Sequence, residues 1–255
     1  MNDGSSRSRY EPGGPLTEPA PGAQRYGAPK RLWMAFVAPA DVFADIKVKP
    51  TWVLCLAMMV ILGVALQLAV VPHVDSEATL RARLGDRADE LSEQQLADIV
   101  ERGERFAKYA PLIGLVVSPI AFALIAAVFF VMLKIVGSDA EYPHLFSSTL
   151  HSYWPPSAVQ MVLTAVLIQR VGQIPQQELP NVVKSHLGAL LPPDAPAWVA
   201  SAANTISVFN IWTVILLVIG FEIVGGISRG KAIAAALVPW GVWLAAKAGL
   251  GALVG

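Results

Sequence analysis

Residues 52–71 read WVLCLAMMVILGVALQLAVV, without one charged side chain. No other feature narrows the possible folds as far. About 20 apolar residues in a helix cross a hydrocarbon core of roughly 30 Å. Within lipid the backbone must satisfy its own hydrogen bonds, which helices do within a single segment. Trp52 stands at the start of the run as an interfacial anchor, and Pro72 closes it. Four further apolar stretches follow, so spans are expected at about 52–71, 111–136, 150–168, 206–227 and 232–254. Pro119 is expected to kink the second span, which membrane helices tolerate when neighbours satisfy the freed carbonyl. The third span is the weakest: it is short unless the helix starts upstream near Ser147, and Pro155-Pro156 would break or bend it. The fourth and fifth are separated only by SRGK, which forces an antiparallel helical hairpin. The expected fold is therefore all-α: a polytopic membrane bundle of about five transmembrane helices, with an N-terminal interfacial helix.

Composition agrees. The chain is 55% hydrophobic and 15% charged, whereas soluble domains are about a quarter charged. Lys+Arg and Asp+Glu are equal at 19 each, which gives no sign of a nucleic-acid partner. The single cysteine, Cys55, lies inside the first apolar run; it cannot form an internal disulfide and reads as a buried thiol.

The segments outside the spans differ in character. Residues 1–29 are rich in Pro, Gly and Ser and read as a disordered cytosolic tail, since they cannot bury enough surface to offset their ordering entropy; they contain no apolar core of a cleaved signal peptide. The membrane domain is expected over 30–255. Residues 30–49 carry Val42, Phe43 and Ile46 on one face, with Pro39 and Asp41 suited to a helix start and Lys47 and Lys49 to its end. That pattern fits a helix lying at the membrane interface; a short helix packed on the rest of the protein fits it nearly as well. Loop 73–110 holds six basic and nine acidic side chains, with Leu80, Leu84, Leu91, Leu96 and Ile99 at loosely helical spacing. One or two amphipathic helices, in water or on the surface, are expected there. After the third span, PNVVKSHLGALL is a candidate short helix.

Basic residues flanking the spans set orientation. Lys30, Arg31, Lys47 and Lys49 precede the first span and favour a cytoplasmic N-terminus; five spans then put Lys134, Arg229 and Lys231 on that side and the C-terminus outside. The six basic residues of loop 73–110 run against this assignment.

Three stretches together resemble the Yip1 family of multi-pass membrane proteins. In FVAPADVFADIKVKPTW, residues 36–52, the matching positions include Pro39, Phe43 and Pro50. In LKIVGSDAEYPHLFSSTLHSYWPPSAV, residues 133–159, a Gly-containing turn and a Phe lead to a Tyr and a Pro at the third span. In FNIWTVILLVIGFEIVGGISRGKAIAAALVPW, residues 209–240, Phe209 and Trp212 open the fourth span, Gly220 lies within it, Gly230-Lys231 make the turn and Pro239 marks the fifth. The resemblance, closest to the bacterial branch, implies a five-helix bundle in the bacterial cytoplasmic (inner) membrane with its N-terminus in the cytosol. In eukaryotes the family is associated with vesicle trafficking and Rab GTPases.

Few constellations carry chemistry. Lys134 and Glu222 lie at similar depth in the second and fourth spans and are a candidate intramembrane ion pair; snorkelling of each to the interface is the plainer reading. Glu222, with Asn210 and Thr213 upstream, also defines a transporter or channel alternative. Gly226-Ile227-Ser228-Arg229-Gly230 matches G-x-S-x-G, but no strand precedes it and no histidine follows, so Ser228 reads as a turn residue rather than a hydrolase nucleophile. His144 and His151, with Asp139 and Glu141 nearby, are too far apart along a helix to share one metal. Gly241, Ala245 and Gly249 form a small-residue face suited to close helix packing. No nucleotide loop, zinc motif or cysteine cluster is present, so no cofactor or metal is expected and no catalytic role. The expected partners are the lipid bilayer and other membrane proteins or a second copy. The reading is a non-enzymatic scaffold or adaptor in membrane organisation or trafficking.

Overall fold

The computed structural model describes residues 26–192 and 195–254. The expected disordered tail therefore lies, up to residue 25, outside the described residues; from Tyr26 onward the chain is built into the fold. The helices are α1 (Ala28–Val37), α2 (Pro39–Val48), α3 (Val53–Val70), α4 (Ser76–Leu84), α5 (Glu93–Ala107), α6 (Ala110–Ile135), α7 (Tyr142–Ile168), α8 (Leu179–Val182), α9 (Ala197–Thr205), α10 (Val208–Gly225) and α11 (Arg229–Val254). No strand occurs among the described residues, where two isolated bridges complete the pairing. The architecture is the expected all-α membrane bundle.

Among the described residues, three helices are long and apolar enough to cross a membrane: α3 with the turn after it, α6 and α10. Their roles differ. Half of the α10 window is buried inside the protein, against 11% for α3 and α6. α10 is thus the central post, packed against α2, α7 and α11, while α3 and α6 turn most of their apolar surface outward. α7 and α11 have the length to cross as well, at 27 and 26 residues. α7 starts at Tyr142, upstream of the expected 150, and continues through Pro155 and Pro156 to Ile168. Its first turns are polar, FSSTLHS, which hid them from a hydropathy reading.

The two expected helices of loop 73–110 are α4 and α5. Asp75 caps α4, accepting from the Ala78 amide at 2.8 Å. Ser92 and Gln95 form a reciprocal capping box on α5, at 3.2 and 2.9 Å. Only Leu96 of α5 is buried, so the helix depends on its local interactions. Ser92→Ala is expected to cost about 1 kcal/mol, read as faster amide exchange confined to α5. The candidate helix PNVVKSHLGALL forms only one turn, α8, followed by a 3-10 turn at Leu187–Leu190. α4 is tied to the segment after α7: the Asp75 amide donates to Ile174 O at 2.9 Å, and the Gln176 amide donates to Thr79 Oγ1 at 2.9 Å. The loops after α3 and α7 therefore share one end of the bundle.

The opposite end is basic. Ser138, after α6, donates its Oγ to Gly225 O at the end of α10, 2.7 Å away. A Cβ at Gly226 would lie 4.0 Å from Lys47 Nζ, and one at Gly137 would lie 3.8 Å from Lys231 Nζ. Gly226 itself adopts φ +63°, the left-handed conformation that a helix C-terminus hands to glycine. Lys47, Lys134, Arg229 and Lys231 thus gather around one turn.

Candidate functional site

The N-terminal segment expected at the interface is two helices, and they are packed into the bundle. Pro39 fixes the break between them: it has no amide to continue α1, and it disfavours the α conformation at Ala38, which adopts φ −143° and ψ 61°. α1 and α2 form a hairpin held between α7 and α10. Val42, Phe43 and Ile46, the apolar face expected from the sequence, find protein partners; all three are at most 1% exposed.

The open end of this hairpin carries a buried polar cluster. Arg31 is fully buried, and its Nη1 donates to Lys49 O at 2.8 Å and Thr51 Oγ1 at 2.6 Å. Its Nη2 donates to Asp45 O at 3.2 Å, and its Nε lies 3.6 Å from Asp45 Oδ2. Asp45, 2% exposed, also accepts from the Tyr26 amide at 2.7 Å. Arg31 thus ties the start of α1 to the end of α2 and to the link into α3. A guanidinium is suited to this, with five donors in a rigid fork.

Below the cluster lies the polar face of α7. Ser147 Oγ donates to Thr51 O at 3.0 Å, His151 Nδ1 is 2.8 Å from Ser147 O, and Ser152 Oγ donates to Ser148 O at 2.9 Å. Ser147, Ser148, Thr149 and Ser152 are 0% exposed. Among the described residues, the hydroxyls of Ser148 and Thr149 have no hydrogen-bond partner. Further along, Trp154 Nε1 donates to Leu32 O at 3.0 Å, fixing α1 beside α7.

Several of the family-motif positions lie at this hairpin. A Cβ added at Gly220 would meet Ser148 Oγ, and the Phe43 ring would lie 3.1 Å from it. Glycine at 220 is therefore what lets α2 and α7 approach α10 together. Gly220→Ala is expected to destabilise the bundle by about 1–3 kcal/mol, the usual cost of overpacking. Ser148→Ala should restore part of that loss, as read by thermal unfolding in mild detergent. Trp212 meets Phe36 edge-on at 6.4 Å, and Phe209 is buried. Pro50 stands in the link to α3. Gly230 and Lys231 sit at the exposed start of α11, and Pro239 lines a cleft described below.

The other candidate residues are placed as follows. Lys134 Nζ donates to Ser138 O at 3.1 Å and lies over the Phe130 ring at 5.3 Å. Among the described residues no ion pair joins it to Glu222, although both helix ends reach the same end of the bundle. Lys134 instead serves the carbonyls after its own helix, as cations at helix C-termini do. Ser228 is an exposed turn residue whose carbonyl accepts from the Ala232 amide at 3.0 Å. Among the described residues no helix covers the face of Gly241, Ala245 and Gly249: a Cβ at Gly241 or Gly249 would meet nothing within 4 Å. No group of three metal-binding side chains occurs among the described residues.

A cleft of about 400 Å³ opens between α6, α7, α10 and α11, lined by Phe129, Tyr153, Asn210, Thr213, Pro239 and Trp243 among others. Its lining contains no ionisable acid or base apart from the Tyr153 phenol. Sequence reasoning flagged Asn210 and Thr213, but Glu222 does not line the cleft. It missed Arg31, Asp45 and Ser148; Arg31 and Asp45 are two of the five charges on the pair of short helices, and Ser148 belongs to a run of hydroxyls ahead of a span.

Long, strongly apolar helices around a buried core define a polytopic α-helical membrane protein. The Yip1 domain matches residues 33–249, and the chain belongs to that family. It is 24% identical over 221 residues to Membrane protein YknW of Bacillus subtilis (strain 168), an alignment covering 83% of this chain and 85% of that protein. No solved structure matches.

Proposed function

We propose that the protein is a non-enzymatic scaffold or adaptor in membrane organisation or trafficking. Its N-terminus and basic end would be cytoplasmic and its C-terminus outside, with α7 and α11 completing five spans in the bacterial cytoplasmic membrane. The observation that carries this reading is where the polar groups sit. Arg31 and Asp45 are engaged in holding the α1–α2 hairpin, and the cleft among the spans holds neither a carboxylate nor a cationic side chain. Surfaces for partners remain available: α5 stands clear of the bundle, and the Gly241, Ala245 and Gly249 face lets another helix approach closely. Crosslinking in native membranes followed by affinity purification in mild detergent is expected to return a reproducible set of membrane proteins. A clean preparation without partners in repeated experiments would sink the reading. The basic end predicts orientation: a protease-protected reporter fused at the C-terminus should report the outside.

Transport is the second reading, favoured by the cleft itself with Asn210 and Thr213 on its wall. Reconstituted protein should then pass solute, and Glu222→Gln would reduce the flux if that carboxylate served the path. Absence of flux in both proteins would remove this reading.

A further inference from the structure

We infer that the α1–α2 hairpin is a re-entrant membrane element, entering from the end of the α10–α11 turn and docking its exposed face against lipid acyl chains without crossing. Register along α10 carries the inference. Lys47, near the end of α2, stands beside Gly226 at the turn. Phe43 packs at Gly220, six residues or about 9 Å up the helix. Phe36, near the hairpin tip, reaches Trp212 on α10 and Trp154 on α7, at 6.4 and 6.3 Å. Each helix has ten residues and is about 15 Å long, half the roughly 30 Å hydrocarbon core. Since α10 is itself a membrane span, the tip at Val37–Pro39 lies well inside the layer that α10 crosses.

The distribution of side chains matches that depth. On the hairpin surface away from the bundle, Trp33 is 67% and Val37 62% exposed, and Ala40 and Ala44 are exposed beside them. Lys30, Lys47 and Lys49 lie at the open end, where the Arg31–Asp45 pair is sealed inside. Asp41 departs from this pattern: it is half-buried in the first turn of α2, where the helix's positive end favours a carboxylate. Non-helical backbone at membrane depth survives only where protein buries it. Here the break is a single residue, Ala38, whose amide still donates to Met34 O at 2.7 Å. A lipid occupant follows from the surroundings: the exposed face is apolar and flanks a spanning helix.

The test uses the full chain in native membranes and in liposomes, with Cys55 replaced by alanine. Val37→Cys and Ala40→Cys are compared with Lys49→Cys at the open end and Leu124→Cys, an exposed mid-span position on α6. An impermeant maleimide applied from either side should label the two hairpin positions at least about tenfold more slowly than Lys49→Cys, and as slowly as Leu124→Cys. Labelling as fast as Lys49→Cys would return the hairpin to the interface and overturn the inference. Spin labels at the same positions identify the occupant. High collision with oxygen and low collision with a water-soluble nickel chelate indicate acyl chains, as inferred. Low collision with both would mean that a protein surface, from a second copy or another partner, covers the face, and would overturn lipid docking.

Discussion

Replacing Arg31 with methionine is expected to destabilise the folded bundle by about 3–5 kcal/mol, the cost of breaking a buried ion pair from one side. The substitution keeps much of the side-chain volume but removes the guanidinium beside Asp45, and with it the donors to Lys49 O, Asp45 O and Thr51 Oγ1. Asp45 is buried, so water does not readily replace the donors lost there. The hairpin should release from α7 and α10 before the spans separate. Thermal unfolding in mild detergent should show a large loss, with new proteolysis near residues 26–50. Arg31→Met combined with Asp45→Leu should recover part of it, because a buried pair is often worth no more than its apolar replacement. An unchanged melting temperature in the single variant would mean that the cluster does not secure the hairpin.

Phe43→Ala should cost a comparable amount, about 3–5 kcal/mol, the range for deleting a buried aromatic side chain. The ring is 1% exposed and packed against Gly220. Between spans, apolar burial contributes little, since lipid is as apolar as the neighbouring helix. α2 differs. With Asp41, Asp45 and Lys47 it is not a span, so once undocked its apolar residues face headgroups and water, and the full transfer term applies. Phe43→Leu should lose much less. The measurement is the same unfolding transition, and equal losses for Ala and Leu would contradict a packing role.

The sequence revealed the bundle where solvent alone dictates structure. Residues 53–70 and 110–135 are apolar on all sides because lipid surrounds most of their surface, and no periodicity was needed to find them. It concealed structure where protein replaces lipid. The polar start of α7 is tolerated because α1, α2 and α10 cover it, and nothing in residues 142–149 announces that cover. The hairpin showed its apolar face but not what the face meets, since an interface and a protein groove ask for the same pattern. Arg31 and Asp45 are separated by 14 positions, too far for helical spacing to link them across the break at Pro39. Lys134 and Glu222 show the converse: depth along a helix was legible, but the direction in which each side chain leaves its helix was not.

The position of the hairpin in the chain also sets an order of assembly. α1 and α2 leave the ribosome before α3, yet the glycine on which Phe43 packs lies more than two thirds of the chain length later. At roughly 5–20 residues per second, about 10–35 s pass between synthesis of Phe43 and of Gly220. Through that interval α2 has no α10 to receive it. Docking must therefore be a late step, and the hairpin closes the bundle only after α10 is in place.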